Sequence, residues 1–277
     1  MKRKTGDPTM IDIIHWNPRR PVVPGPLGRF IPLHRHVNNF GDLLGPALVE
    51  RMLQAREVST ASASSPARLL TVGSILSLAS TGDHVWGTGI NGKSRHIPLN
   101  ASRLTIHSVR GPLTRAILQK QGFDVPEIYG DPGILVSRYW PSPQGDTPTE
   151  PLIVPNFHDY PSLRGRPNVL NPRVGLDACV AAIAASSMVV GSSLHAVILA
   201  ESFGIPARAI RSAVEPTFKY EDYYEGTGRA NVKIAATVDE ALDLGGTTLT
   251  HLPMDAVEDS FPSQLWSPAP HHREDVR

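Results

Sequence analysis

VVGSSLHAVILAESFGIP, residues 189–206, carries the strongest fold signal of the chain. It begins as a short apolar strand, turns at Gly191, continues as an apolar helix and stops at Gly204. A helix that opens at Ser192 and Ser193 presents unpaired N–H groups and the positive end of its dipole. The stretch therefore predicts a strand–turn–helix unit with an anion site, where His195 adds a group that exchanges protons near neutral pH.

Composition restricts the class of protein. The chain has 277 residues, 40% of them hydrophobic, and a net charge of +1, so it can form a sizeable core and lacks the basic excess typical of nucleic-acid binding. Cys179 is its one cysteine, which excludes an intrachain disulfide, and the histidine spacing predicts no metal site. No apolar run is long enough to span a membrane, so we expect a cytoplasmic protein. The basic stretch at residues 1–9 leaves a peripheral contact with the inner membrane face open.

Strands alternate with helices along the chain. Apolar runs such as Met10–Trp16, Arg68–Gly73 and His84–Gly89 are each followed by glycine turns or helical segments. This order predicts an α/β protein with two Rossmann-like lobes, mostly parallel sheets and a cleft between the lobes. We place the N-terminal lobe at residues 1–145, the C-terminal lobe at 146–250, and a loose tail at 251–277, with the Pro-rich segment 141–151 as linker.

Polar clusters recur where the predicted strands end. They are Asn38–Asp42, Gly87–Gly89, Arg110, Asp131 and Gly191–His195. In open α/β sheets, ligands bind beyond the carboxyl ends of the strands. These clusters therefore predict one site in the cleft.

Five segments in order resemble the polysaccharide pyruvyl transferase family. They are Asn39–Asp42 (NFGD), Val72–Leu76 (VGSIL), Val85–Ile90 (VWGTGI), Val109–Arg115 (VRGPLTR) with Gly130–Pro132 (GDP), and Ser192–Ala196 (SSLHA). The resemblance implies a fold similar to the GT-B glycosyltransferases. It also implies an enzyme that transfers pyruvate from phosphoenolpyruvate, as co-substrate, onto two hydroxyls of a sugar as a cyclic ketal, with no other cofactor. The acceptor sugar, its hydroxyl pair and any lipid carrier stay open.

Two residues are our candidates for catalysis. His195 suits proton transfer, and the resemblance makes Arg110 the arginine that binds the donor, because a planar guanidinium binds carboxylate or phosphate through two hydrogen bonds. The substrate-binding candidates are Asn39, Asp42, Gly87, Thr88, Gly89, Arg115, Asp131, Ser192, Ser193, Leu194, Glu201 and Lys219.

Several of these candidates have an equally simple structural interpretation. Asp42 is placed to cap a helix from Leu43 to about Gln54, and Asp131 is placed to cap the helix after it. Arg115 suits a solvated surface as well as a site. A serine nucleophile beside His195 is disfavoured because the Gly-x-Ser-x-Gly pattern is absent.

Two other functions fit the same pattern. A nucleotide-sugar glycosyltransferase would bind its donor in the C-terminal lobe, and a catalytically silent glycan-binding protein would keep the scaffold without turnover. Release of phosphate from phosphoenolpyruvate would distinguish both from a pyruvyl transferase.

Overall fold

The computed structural model describes residues 11–21, 33–60, 65–93, 101–141, 150–247 and 251–266. The strands within these ranges are β1 Ile11–Ile14, β2 Arg19–Pro21, β3 His34–His36, β4 Ala67–Leu70, β5 His84–Trp86, β6 Thr105–Ser108, β7 Leu152–Ile153, β8 Val189–Gly191 and β9 Ala207–Ala209. The α-helices are α1 Phe40–Ala55, α2 Pro112–Lys120, α3 Val136–Tyr139, α4 Tyr160–Leu163, α5 Leu176–Ala184, α6 Leu194–Ser202, α7 Phe218–Gly226, α8 Val238–Leu244 and α9 Met254–Asp259. Short 3₁₀ helices cover Leu76–Leu78, Pro132–Leu135 and Ser263–Leu265.

Two parallel sheets form the framework. The first has the order β1-β4-β5-β6 and the second the order β7-β8-β9, with parallel pairing throughout the described strands of both. The central strands are apolar and buried, as Leu69, Val85, Val189 and Val190 illustrate, because helices cover parallel sheets on their faces. The predicted α/β class with mostly parallel sheets is confirmed, and a small antiparallel ribbon, β2-β3, lies outside both sheets.

One apolar core joins the two sheets through their helices. Helix α1 buries Leu44, Leu48 and Met52, and α6 buries Val197 and Ile198 in the same cluster. Burying a side chain of this size contributes about 1.5–3 kcal/mol. Helix α1 contacts α5, and α6 contacts the 3₁₀ helix that precedes α3, so the elements of the two halves pack directly against each other.

Helix α1 begins earlier than its sequence suggests. Its first residue is Phe40, and Asn39 takes the N-cap position with an extended backbone. Asp42 therefore lies in the first turn and does not cap the helix; its carboxylate accepts a 2.9 Å hydrogen bond from Nδ2 of Asn39. The expected cap at Asp42 is wrong because Phe40, which is fully buried, anchors the helix start in the core.

The segment 251–266 is not a loose tail. It forms α9 and a 3₁₀ turn, and it buries Val257, Phe261 and Trp266 in the core. Nε1 of Trp86 in β5 donates a 2.9 Å hydrogen bond to the carbonyl of Val257, which ties this segment to the first sheet. The prediction failed because the polar residues around these apolar side chains outweighed them in composition.

Some predictions fall outside the described residues. These are the remaining tail from 267 onward, the basic residues 1–9, and most of the linker with the lobe boundary at 145/146. The two-lobe division stays a prediction. Within the described part of the chain, no helix is long and apolar enough to cross a membrane.

Candidate functional site

A cavity of about 410 Å³ lies where the carboxyl ends of the two sheets face each other. The first sheet contributes the turn 73–75 after β4, and the second contributes residues 156–158 after β7. The starts of α1 and α6 complete the wall, together with Glu215 and Lys219. Of the residues singled out from the sequence, the cavity brings together Asn39, Asp42, Ser193, Leu194, His195 and Lys219.

Helix α6 points its N-terminus into this cavity. The Ser193 hydroxyl caps the helix by accepting a 3.4 Å hydrogen bond from the Ala196 N–H. Among the described residues, nothing accepts a hydrogen bond from the backbone N–H groups of Leu194 and His195. Two free N–H groups at the positive end of a helix dipole are suited to an anionic ligand.

The imidazole of His195 is enclosed by two glycines. A Cβ atom at Gly41 would overlap Nδ1, and a Cβ atom at Gly73 would lie 3.2 Å from Nε2. The ring also meets Phe40 edge to face, with centroids 6.4 Å apart. Gly41 and Gly73 thus belong to the site because any side chain there would displace the imidazole.

His195 is neutral at pH 7. Burial, together with the positive charges of Lys219 and Arg110, lowers its pKa from 6.5 to about 4, although Glu215 opposes the shift. No described residue hydrogen-bonds the ring, so its basic nitrogen is available to a ligand. A neutral imidazole beside an anion site can accept a proton from a hydroxyl.

Lys219 and Glu215 form an ion pair at the cavity wall. Nζ of Lys219 donates to the Glu215 carboxylate, and Nζ of Lys93 lies 3.6 Å from the same carboxylate. Burial lowers the pKa of Lys219, and Glu215 counteracts this. For Glu215, burial would raise the pKa, but Lys219, Lys93 and His158 together hold it below its usual value. Two ammonium groups thus share one carboxylate, which leaves excess positive charge for a ligand.

Asp42 is a second titratable group in the cavity wall. Burial raises its pKa from 3.8 to about 6, and the hydrogen bond from Asn39 limits the rise. A carboxyl group with this pKa exchanges protons near neutral pH, which is a common property of active-site acids.

Arg110 lies behind the cavity wall and not in the cleft where the sequence placed it. The side chain is fully buried, and a Cβ atom at Gly89 would overlap its guanidinium carbon. Nε and Nη2 bind the Asp222 carboxylate at 3.0 and 2.9 Å, and Nη2 also donates to the carbonyl of Ile90. Nη1 donates a 2.6 Å hydrogen bond to Oγ of Ser74, which lines the cavity, so Arg110 is one hydrogen bond away from it.

Asp131, Thr88 and Gly87 lie outside the cavity, on the side of the turn after β4 that faces the protein interior. The buried Asp131 carboxylate accepts hydrogen bonds from the N–H groups of Gly73 at 3.1 Å and Gly133 at 3.0 Å. Burial raises its pKa to about 6, while these hydrogen bonds and Arg110 oppose the rise. The Thr88 hydroxyl donates to the Gly73 carbonyl, and Gly87 has a positive φ of 75° against Pro132. Asp131 and Thr88 thus hold the turn at Gly73, Gly87 packs against Pro132, and none of the three lines the cavity.

Three other candidates bind protein groups elsewhere. The Ser192 hydroxyl donates to Asp159, and Nε of Arg115 donates to the carbonyl of Val125. The buried Glu201 carboxylate accepts hydrogen bonds from Nη1 and Nη2 of Arg229 at 2.8 and 2.9 Å, and a 2.6 Å hydrogen bond from the Tyr223 hydroxyl. None of these side chains lines the cavity, because each is bound to another group of the protein.

The structure adds cavity residues that the sequence reasoning missed: Ser74, Asn156, Phe157, His158 and Glu215. Residues 156–158 follow β7 as the other clusters follow their strands, so the strand-end rule could have found them. The four-residue spacing of Glu215 and Lys219 is also typical of an ion pair.

Comparison with known proteins confirms the family resemblance seen in the sequence. A sequence model of the polysaccharide pyruvyl transferase family matches residues 64–213. Among solved structures, the chain is similar to a functionally uncharacterized protein from Klebsiella pneumoniae subsp. pneumoniae. The two are 11% identical with a TM-score of 0.48, and the match covers 78% of this chain and 86% of that one. A search of curated proteins found no match.

Proposed function

The chain belongs to the polysaccharide pyruvyl transferase family, whose model matches more than half of it, and we propose that it transfers pyruvate from phosphoenolpyruvate to a saccharide. The product in this proposal is a cyclic ketal on two hydroxyls of one sugar, with phosphate as the leaving group. The acceptor is a polysaccharide or its lipid-linked precursor. Two Rossmann-like lobes of the GT-B type would place the donor and the acceptor on opposite sides of the cleft.

One observation carries the proposal: the N-terminus of α6, His195 and Lys219 face the same cavity. Phosphoenolpyruvate carries a phosphate and a carboxylate close together. The free N–H groups of Leu194 and His195 suit one of these anions, and the Lys219 ammonium suits the other. The neutral imidazole lines the same cavity and accepts the proton of an attacking hydroxyl.

The reaction balances with these groups. The methylene carbon of the donor gains a proton, and the adjacent carbon becomes electrophilic and forms a C–O bond with the first sugar hydroxyl. The bond from this carbon to the phosphate oxygen then breaks, and the second hydroxyl forms the second C–O bond. The two hydroxyl protons end on the new methyl group and on phosphate. Asp42, with its raised pKa, suits delivery of the proton to the methylene carbon, and His195 suits removal of hydroxyl protons.

Arg110 has a positioning role in this scheme. It holds Ser74 by Nη1 and α7, which carries Lys219, through Asp222. The arginine therefore fixes two cavity residues without touching the donor.

Phosphate release from phosphoenolpyruvate tests the proposal. We would assay the protein with a panel of galactosides and mannosides, alongside His195→Gln and the matched surface variant His34→Gln. Acceptor-dependent release that falls about 10²–10⁴-fold in His195→Gln and persists in His34→Gln would support the reaction. A nucleotide sugar that raises the thermal stability of the protein, with no stabilisation by phosphoenolpyruvate, would overturn it in favour of a glycosyltransferase.

A further inference from the structure

A second, basic depression adjoins the 410 Å³ cavity of the candidate site, which we call the central cavity. It has a volume of about 540 Å³ and shares Phe157 and His158 with the central cavity. We call it the basic groove, and its principal lining residues are Arg35, Phe157, His158, Tyr160, Arg164 and Arg173. A ligand in the central cavity can extend into this groove past Phe157.

The arginines of the basic groove lack acidic partners. Among the described residues, no carboxylate lies within 4 Å of Arg35, Arg164 or Arg173, all of which are exposed. Of the other described arginines, eight form ion pairs with carboxylates: Arg51, Arg56, Arg68, Arg110, Arg115, Arg138, Arg166 and Arg229. The described arginines without such a partner outside the groove, such as Arg19, Arg103 and Arg208, do not share one depression with each other. The net charge of +1 is therefore distributed unevenly, and this groove concentrates positive charge.

The acidic residue between His158 and Tyr160 forms no ion pair with the arginines of the groove. Asp159 is buried, and its carboxylate accepts hydrogen bonds from Ser192 at 2.6 Å and from Asn156 at 2.8 Å. It also accepts a 3.4 Å hydrogen bond from the Ala213 N–H. Because these donors occupy the carboxylate and no groove arginine contacts it, the arginines keep their own donors for another partner.

Phe157 holds two guanidinium groups at the junction. The guanidinium carbons of Arg20 and Arg173 lie 5.4 and 5.8 Å from its ring centroid, within the range of a cation–π contact. Nε of Arg173 donates a 2.9 Å hydrogen bond to the carbonyl of Val37. These contacts restrain Arg173 and leave its two terminal nitrogens without a partner among the described residues. Arg20 lines the central cavity, so positive charge continues from one depression to the other.

We propose that the basic groove binds an acidic group of the saccharide acceptor, either a phosphate or a carboxylate, while the sugar to be modified lies in the central cavity. This inference rests on the proposed function and adds the chemical class of the acceptor. Guanidinium groups bind both kinds of anion through paired hydrogen bonds. A neutral glycan would leave several cations around the groove without a counter-charge.

Binding of three defined probes tests the inference by calorimetry. They are tetragalacturonate, a decyl-diphosphate ester of N-acetylglucosamine, and a neutral tetragalactoside. The double variant Arg35→Ser/Arg164→Ser removes two charges from the groove. The control Arg103→Ser/Lys120→Ser removes two exposed charges away from it, one before β6 and one at the end of α2.

At least one acidic probe should bind the wild type more tightly than the neutral probe. Its Kd should rise at least tenfold in the groove variant and change less than twofold in the control. The acidic probe that responds identifies a carboxylate or a diphosphate as the ligand. Equal weakening in both double variants, or no preference for an acidic probe, would overturn the inference.

This measurement also separates the inference from the proposed function, because it requires no turnover. If no acceptor yields phosphate from phosphoenolpyruvate but the acidic probe still depends on Arg35 and Arg164, the anion site stands and the proposed reaction fails. If phosphate is released and the groove variant has a wild-type KM for an acidic acceptor, the reaction stands and the inference fails.

Discussion

Helix α7 carries two ion pairs in contrasting surroundings. Asp222 binds Arg110 in a fully buried network that also includes the N–H and hydroxyl of Thr114, at 2.8 and 2.7 Å. Lys219, three residues earlier, binds Glu215 at the wall of the central cavity. The hydrogen bonds of the buried pair all go to protein groups, whereas the cavity pair faces the space where a ligand would bind.

The difference shows that the surroundings of a charged side chain decide whether it binds protein groups only or can also bind a ligand. A buried charge must be matched by fixed protein partners, since an unpaired one is strongly destabilising. A charge at a cavity wall can exchange part of its protein contact for a ligand. The comparison therefore predicts that Arg110 stabilises the site and that Lys219 contributes to binding of the proposed donor.

Removing Arg110 should have the largest effect on stability. In Arg110→Ala the Asp222 carboxylate stays buried without its cation, so we expect the free energy of unfolding to fall by about 3–5 kcal/mol. Urea denaturation measures this, with Arg115→Ala, a partly exposed arginine on α2, as control at less than about 1 kcal/mol. The double variant Arg110→Met/Asp222→Leu should recover much of the loss. A stable Arg110→Ala protein that has lost only its affinity for phosphoenolpyruvate would contradict the assignment and return Arg110 to the donor.

A smaller loss should follow from Thr114→Val. The hydroxyl donates to the Asp222 carboxylate and accepts a 3.2 Å hydrogen bond from the Ile90 N–H. A hydrogen bond to a charged group contributes about 1.5–3 kcal/mol, so we expect a loss in that range by urea denaturation. Thr105→Val, at an exposed position of β6, is the matched control. A loss no larger than that of the control would mean that Arg110 and the backbone N–H of Thr114 hold Asp222 without the hydroxyl.

The same contrast explains which parts of the site the sequence could predict. His195, Ser193 and Leu194 follow from the strand–turn–helix pattern, because local sequence sets a helix N-terminus. Arg110 also follows a strand, yet its side chain turns inward to meet Asp222, which lies 112 residues away. A motif states where a residue lies along the chain but not which distant group its side chain meets.

Fold prediction has the same limit. Parallel strands and covering helices are visible as apolar runs, so the α/β class could be predicted. The packing of α9 could not be predicted, because this helix has only six residues. Val257 and Phe261 pack in a core whose other members, such as Phe40 and Leu44, are distant in the sequence. Long-range contacts between short elements leave little periodicity to detect.

Lys219→Gln probes the cavity side of the comparison. Losing the ammonium group should raise the KM for phosphoenolpyruvate about tenfold, equivalent to about 1.4 kcal/mol, with little change in kcat. Lys120→Gln, at the exposed end of α2, is the control and should leave the KM unchanged. An unchanged KM in Lys219→Gln, or a fall in kcat alone, would show that the lysine supports the wall and does not bind the donor.

The smallest effect concerns His195 and depends on pH. The unfolded chain protonates this residue near pH 6.5, whereas burial and the neighbouring cations delay protonation in the folded state to about pH 4. Stability should therefore fall by about 1 kcal/mol as the pH falls from 6.5 to about 5.5, and His195→Gln should lack this part of the loss. Asp42 and Asp131, whose raised pKa values have the opposite effect on stability, are common to both proteins and cancel in the difference. Urea denaturation of both proteins across this range measures that difference. Parallel pH profiles would contradict the prediction, because they would mean that the pKa of His195 is the same in the folded and the unfolded chain.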